Sequence, residues 1–80
     1  MITRFRVEGW ADEKQELIEE LSSAATKAIK VLTPKSAKTH DGQWECTADV
    51  ISRDEDTRNY RGRMTFVYSE LVNPRYEEGE

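Results

Sequence analysis

The stretch YRGRMTFVYS, Tyr60–Ser69, is the clearest β-strand in the sequence, and the rest of the chain has to pack around it. Successive side chains of a strand point to opposite faces. One face of this stretch is apolar and aromatic, which suits a core; the other carries two arginines among β-branched residues, which suits solvent or a ligand. The apolar face comprises Tyr60, Gly62, Met64, Phe66 and Tyr68, and the other comprises Arg61, Arg63, Thr65, Val67 and Ser69.

Length and composition predict a single small domain. The chain has 80 residues, so its core is small, and domains of this size often gain stability from disulfides, a metal or self-association. Cys46 is the only cysteine and His40 the only histidine, which excludes an intrachain disulfide and a tetrahedral zinc site. Self-association is the stabilising device that stays open.

The charge pattern and the lack of a long apolar run predict a cytoplasmic protein that does not associate with a membrane. No run is long enough for a signal peptide or a membrane span, and a lone thiol fits a reducing compartment. Charged residues make up 35% of the chain and the net charge is −4, so both signs are mixed. That mixture argues against binding DNA by charge alone.

A strand followed by a long helix is predicted in the first half of the chain. Ile2–Glu8 alternates as a strand, which Gly9 ends. From about Glu13 to Leu32, apolar residues recur at helical spacing and form one stripe, which is narrow in its middle. The stripe comprises Leu17, Ile18, Leu21, Ala24, Ala25, Ala28, Ile29 and Leu32.

Both ends of this helix carry recognisable signals. Asp12 is expected to be the N-cap, and Gln15, three residues later, completes a capping-box pattern. At the other end, Thr33 followed by Pro34 is expected to stop the helix.

The second strand is predicted over Trp44–Ser52, after a polar connector and before a charged loop. Pairing Ala48 with Met64 keeps the two apolar faces aligned and places Asp49 opposite Arg63 as an ion pair. In this register the core face carries Trp44, Cys46, Ala48 and Val50, and the opposite face carries Glu45, Thr47, Asp49 and Ile51.

The order strand, helix, strand, strand predicts a two-layer α+β fold. A right-handed crossover leaves room for the last strand between the first and the second, antiparallel to both. We therefore expect a three-stranded antiparallel sheet of order 1-3-2 with the one helix on one face. Residues 1–72 would form this domain, and residues 73–80 an acidic tail.

The sequence contains no set of residues that is typical of a catalytic site. Cys46 is predicted to point into the core, where a thiol is inert, and His40 to lie solvated in a loop. The acidic clusters fall on a helix and a loop as solvated charge, and no glycine-rich phosphate loop exists. We expect no enzyme activity, no metal and no cofactor.

The open face of the sheet is the surface that we expect to bind a partner. Glu8, Glu45 and Asp49 are predicted to lie among its arginines and would repel phosphates, and the strand aromatics are expected on the helix side. Contact with a protein, either another chain or a second copy, is therefore the main prediction, through the outer sheet face, the sheet edge or the polar face of the helix. For this face the alternatives are a solvated surface laced with ion pairs and a surface that binds single-stranded nucleic acid. The predicted binding residues are Arg4, Arg6, Arg61, Arg63, Thr65 and Val67, extended by Thr47, Ile51 and Arg53.

Trp10 precedes the predicted N-cap by two positions and can be placed in two ways. We expect it to pack back onto the first helical turn. The alternative is an exposed interface anchor, because tryptophan is enriched among residues that dominate binding energy.

The order strand-helix-strand-strand resembles that of the dodecins, small flavin-binding proteins that assemble into hollow dodecamers. The likeness is one of topology and covers most of the chain. Trp44, at the start of the second strand, is similar in position to the dodecin tryptophan that stacks on flavin. The helix and connector are longer here, and Trp44 falls on the predicted core face. The resemblance implies a further alternative, a homo-oligomer that binds a small ligand.

Together these features predict a small non-enzymatic binding module that acts through protein contact. Compact acidic chains of this kind are common among phage and accessory bacterial proteins that modulate host machinery, which is the class of protein we expect.

Overall fold

The chain folds as the predicted α+β domain. A computed structural model describes residues 3–70. The three strands form one antiparallel sheet in the order β1-β3-β2, so Tyr60–Ser69 is the central strand, as its alternation predicts. Leu71, Val72 and the predicted tail over residues 73–80 lie outside the described residues. The elements are β1 (Arg4–Ala11), α1 (Lys14–Leu32), a short 3₁₀ turn (Lys35–Ala37), β2 (Gln43–Arg53) and β3 (Tyr60–Ser69).

β1 continues through Gly9, so the predicted end of this strand is wrong. Gly9 pairs with Gly62 of β3, and both glycines lie beneath Leu17 and Leu21 of α1. A Cβ at Gly62 would lie 2.9 Å from Leu21 Cδ1, so this glycine lets the helix approach the sheet closely, and β1 continues to Ala11, which is buried. Gly9 therefore lies within β1 beneath the two leucines and does not end the strand.

α1 begins one residue later than its capping pattern predicts. Glu13 is the N-cap and makes no side-chain capping bond, while Gln15 Nε2 donates to Glu19 Oε2 at 3.3 Å on the helix surface. The predicted capping box of Asp12 is therefore wrong. The end at Leu32 is confirmed: the Thr33 N–H donates to the Ile29 carbonyl at 3.0 Å.

The core lies between α1 and the two strands that the helix covers, β1 and β3. Leu17, Leu21, Met64 and Ala11 are its buried centre. Because β2 lies at the far side of the sheet, its helix-facing side chains receive little cover from α1. Cys46 is consequently exposed, and its predicted place in the core is wrong. Partly buried apolar side chains complete the core: Val7, Ile51, Tyr60 and Phe66.

A β-bulge at Thr47 changes the faces of β2. Cys46 pairs with Phe66 and Ala48 pairs with Thr65, which leaves Thr47 as the extra residue. From Ala48 onward the strand is therefore one residue out of the predicted register, and every later side chain changes face.

The bulge overturns the predicted ion pair between β2 and β3. Asp49 lies opposite Met64, so it does not face Arg63, whose partner is Val50. Ile51 lies opposite Gly62 and packs against the core. Val50, predicted to be buried, is 49% exposed.

Four aromatic rings form one layer on the helix side, where the alternation predicts them. The Phe5 and Phe66 rings stack with centroids 5.1 Å apart, and the Trp44 ring meets both Phe5 and Tyr68 at 5.1 Å. Trp44 Nε1 also donates to Thr33 Oγ1 at 2.9 Å. These contacts fix the Trp44 ring within the layer.

Candidate binding surface on the open sheet face

The face of the sheet away from α1 carries most of the predicted binding residues, and we call it the arginine face. Strand pairing places its side chains in rows of three across β1, β3 and β2. Arg4, Val67 and Glu45 form the first row. The following rows are Arg6, Thr65 and Ala48; Glu8, Arg63 and Val50; and Trp10, Arg61 and Ser52.

All six predicted binding residues lie on this one face. Two of the predicted extensions do not, because Ile51 packs against the core and Arg53 pairs with Tyr60 on the helix side. The third, Thr47, is the bulged residue, and its Oγ1 donates to the Thr65 carbonyl at 3.4 Å. Asp49 also leaves the face. Removing this carboxylate makes the arginine face more basic than the regular alternation predicts. The six residues are Arg4, Arg6, Arg61, Arg63, Thr65 and Val67.

Trp10 is the aromatic residue of the arginine face. It belongs to β1, pairs with Arg61, and is 59% exposed. Its predicted packing on the first helical turn is therefore wrong, because the extension of β1 to Ala11 turns the Trp10 side chain away from α1. Trp10 and Val50 are the large exposed apolar side chains of this face.

Within residues 3–70, two arginines of the face contact carboxylates. Arg6 Nε lies 3.8 Å from Glu8 Oε1, and both side chains are more than half exposed, so the pair contributes little to stability. Arg61 Nε lies 3.3 Å from Asp54 Oδ2 in the β2–β3 turn. Asp54 Oδ1 accepts the backbone N–H groups of Asp56 at 2.9 Å and Thr57 at 3.3 Å, which holds the carboxylate in place.

Shallow depressions flank the central arginines. One of about 240 Å³ is lined by Glu8, Val50, Ser52 and Arg63, together with Arg61. Regular alternation places Val50 in the core, and its position on this face depends on the bulge. Thr47, a polar residue between two apolar positions of β2, is compatible with a regular strand as well, so no local signal marks it.

A polar cluster that no local sequence pattern predicts connects the segment after α1 to the end of β3. Tyr68 Oη and Ser36 Oγ each donate to Glu70 Oε2 at 2.6 Å. His40 Nδ1 lies 3.3 Å from the Ser36 carbonyl oxygen, and His40 is half-buried. A side chain at Gly42 would overlap the Tyr68 hydroxyl and lie 2.6 Å from its Cζ.

The cluster shifts the pKa values of two of its members. The hydrogen bond from Ser36, then that from Tyr68, lowers the pKa of Glu70, with a smaller contribution from the charge of His40. Burial, followed by the hydrogen bond to Glu70 and its negative charge, raises the pKa of Tyr68 to about 12. The cluster thus holds an ionised Glu70 beside a neutral Tyr68.

Residues 3–70 bring together no three His, Cys, Asp or Glu side chains that could hold a metal ion. The helix within this part of the chain is not long and apolar enough to cross a membrane.

Comparisons with known proteins returned no matching family model, no matching curated protein and no matching solved structure.

Proposed function

We propose that this chain is a non-enzymatic binding module whose arginine face contacts an acidic segment of another protein. The observation that carries the proposal is the position of Trp10, which is 59% exposed beside Arg61 on an open sheet. Tryptophan and arginine are the residue types most enriched among the side chains that dominate binding energy. The acidic character of the partner follows from the charge of the face.

The arrangement around Trp10 supports protein contact. Val50, 49% exposed, lies one row away and adds apolar area next to the Trp10–Arg61 row. Arg63 lies between Glu8 and Val50, which gives the centre of the face charge, hydrogen-bond donors and apolar surface within one patch. An acidic segment with an apolar residue would match this combination by pairing carboxylates with arginines around the indole.

Single-stranded nucleic acid is a second candidate, and one observation favours it. Trp10 and four arginines lie on the arginine face, and Asp49 lies on the other face of the sheet. A base could therefore stack on the indole while the phosphates contact guanidinium groups. The net charge of −4 and the carboxylates of Glu8 and Glu45 on the same face favour protein contact over this candidate.

The proposal is tested by affinity capture from cells of the organism that encodes the chain. Wild-type chain, Trp10→Ala and the control Lys30→Ala, which alters an exposed residue of α1, are immobilised side by side. A partner that uses the arginine face should be captured by wild type and Lys30→Ala and lost with Trp10→Ala. With the purified partner, the dissociation constant should rise at least about tenfold on the Trp10 substitution. Because Trp10 is exposed, thermal unfolding should be nearly unchanged.

A captured protein whose affinity is equal for wild type and Trp10→Ala would refute the proposed site. The nucleic-acid candidate is tested on the same variants with a labelled oligothymidine. It requires binding that weakens steeply with salt and is lost when Arg61 and Arg63 are both replaced by alanine.

A further inference from the structure

Among residues 3–70, β1 is an edge strand with no neighbouring strand on its outer side. The Tyr68 N–H donates to the Thr3 carbonyl at 2.7 Å, so the odd-numbered residues on this side exchange backbone hydrogen bonds with β3. The backbone groups of the even-numbered residues therefore point to the free edge. Within residues 3–70 β1 contains no bulge and no proline, whereas β2, the other edge, is interrupted at Thr47. The even-numbered residues are Arg4, Arg6, Glu8 and Trp10.

We propose that a second copy of this chain pairs antiparallel with the β1 edge, with a two-fold axis at Val7. In this register Arg6 of each copy lies opposite Glu8 of the other. Arg4 lies opposite Trp10, where a guanidinium can stack on the indole. All four side chains are exposed in the single chain. The strand is therefore complementary in charge to its own antiparallel copy.

Neighbouring registers are disfavoured by like charges. Moving the axis by one residue to Arg6 keeps two Arg4–Glu8 pairs, but it places two copies of Arg6 opposite each other and removes both Arg4–Trp10 contacts. Moving the axis to Glu8 places two carboxylates opposite each other. Like charges directly across a strand pair are destabilising. A register that places odd-numbered residues of one copy opposite even-numbered residues of the other would not bring the free backbone groups of the two copies together. It would also place the two arginine faces on opposite sides of the joined sheet. The axis at Val7 satisfies both requirements.

The position of α1 is compatible with the same axis. Gly9 lies beneath Leu17 and Leu21, each 3.7 Å from where a Cβ would be. Val7 precedes Gly9 by two residues, a distance of about 6.6 Å along β1. Because α1 runs in the opposite direction to β1, the same distance covers about four further residues of the helix. Ala24 is therefore level with Val7. Because α1 covers β1 and β3, the two helices would lie roughly 9–10 Å apart on the same side of the joined sheet, a normal packing distance.

The flank of α1 that would face the second copy has the side chains needed for this contact. With the right-handed crossover that nearly all such connections adopt, that flank carries Ala24 and Val31. Ala24 is exposed and small, which permits close approach, and Val31 is 80% exposed. Glu20 and Lys27 lie on the same flank, so antiparallel packing about Ala24 brings opposite charges together. The contact would explain the exposed apolar side chains of the helix.

The resulting dimer would have one six-stranded sheet with both arginine faces on the same side. This inference does not depend on the proposed acidic partner, because it rests on the edge of β1 and the flank of α1. It does enlarge the proposed binding surface, since the two arginine faces would become continuous.

Charge exchange across the axis tests the proposal. Arg6→Glu and Glu8→Arg each place like charges opposite each other twice, so each variant alone should weaken dimerisation at least about tenfold. Mixing the two variants in equal amounts restores both opposite-charge pairs, and we expect a heterodimer. The double variant Arg6→Glu/Glu8→Arg should dimerise like wild type. Native mass spectrometry and sedimentation across a dilution series give the readout, with a monomer mass of 9.3 kDa.

Both substitutions change exposed side chains, and circular dichroism checks that each variant is folded. Lys30→Ala, away from the proposed interface, is the control and should dimerise. A wild-type chain that stays monomeric would overturn the proposal, as would single variants that dimerise as tightly as wild type. Failure of the mixed sample to form a heterodimer would overturn the register. Loss of dimerisation in Lys30→Ala would refute the β1 edge as the interface.

Discussion

At the scale of single residues, the pair Gly9 and Gly62 shows how closely α1 approaches the sheet. A Cβ at Gly62 would lie 2.9 Å from Leu21 Cδ1 and 3.0 Å from Leu17 Cδ2. Leu17 and Leu21 are 0% and 2% exposed, so neither side chain has free space to move into. We predict that Gly62→Ala lowers the free energy of unfolding by about 1–3 kcal/mol through overpacking.

Gly9→Ala is the matched control, because its Cβ would meet the same leucines at 3.7 Å, an ordinary contact distance. We expect it to be neutral or slightly stabilising, since alanine restricts the unfolded chain more than glycine does. Urea unfolding of both variants measures the difference. Equal destabilisation by the two substitutions would contradict the close approach at Gly62.

At the scale of elements, the bulge in β2 determines which of two adjacent aliphatic residues is buried. Ile51 packs against the core, whereas Val50 is 49% exposed. We predict that Ile51→Thr lowers the free energy of unfolding by about 1–3 kcal/mol, because it removes buried apolar area and adds a hydroxyl there. Val50→Thr, which keeps the β-branched shape at an exposed site, should change it by less than about 0.5 kcal/mol. Chemical denaturation measures the free energy of unfolding of both variants. A larger loss for Val50→Thr than for Ile51→Thr would contradict the bulge and favour a regular β2 strand.

At the scale of the whole molecule, the Glu70 cluster links the connector to β3, so its ionisation should affect the stability of the entire small domain. The pKa of Glu70 is lowered from its ordinary value of 4.5. The resulting stability is therefore present above that pH and is lost as the pH falls through the lowered pKa. We predict that Glu70→Gln unfolds at a lower temperature than wild type at pH 7, and that the difference shrinks below pH 4.5.

Glu55→Gln, which removes an exposed carboxylate in the β2–β3 turn, is the control and should unfold at the wild-type temperature at pH 7. Thermal unfolding over a pH series measures all three proteins. A constant difference between Glu70→Gln and wild type down to the acid limit would refute the role of the carboxylate. At the alkaline end the pKa of Tyr68 is raised from 10.0 to about 12, so its contribution is present below pH 10.0 and is lost between these values.

The amino-acid sequence by itself determined the order of elements, the central strand and the end of α1. These features follow from local patterns: the two-residue alternation of Tyr60–Ser69, the helical spacing of Leu17 and Leu21, and the Thr33–Pro34 stop. The six predicted binding residues share one face for the same reason, because β1 and β3 pair without interruption. Periodicity within a strand is enough to place them.

The tertiary structure alone decided the end of β1, the bulge at Thr47 and the exposure of Trp10 and Cys46. An alternating pattern does not show where one strand gains a residue against its partner, and each gained residue inverts all later side chains. Nor does it show which strands a single helix covers. α1 is wide enough for β1 and β3 and leaves β2 largely open, so burial in this domain depends on the position of the helix across the sheet as well as on hydrophobicity.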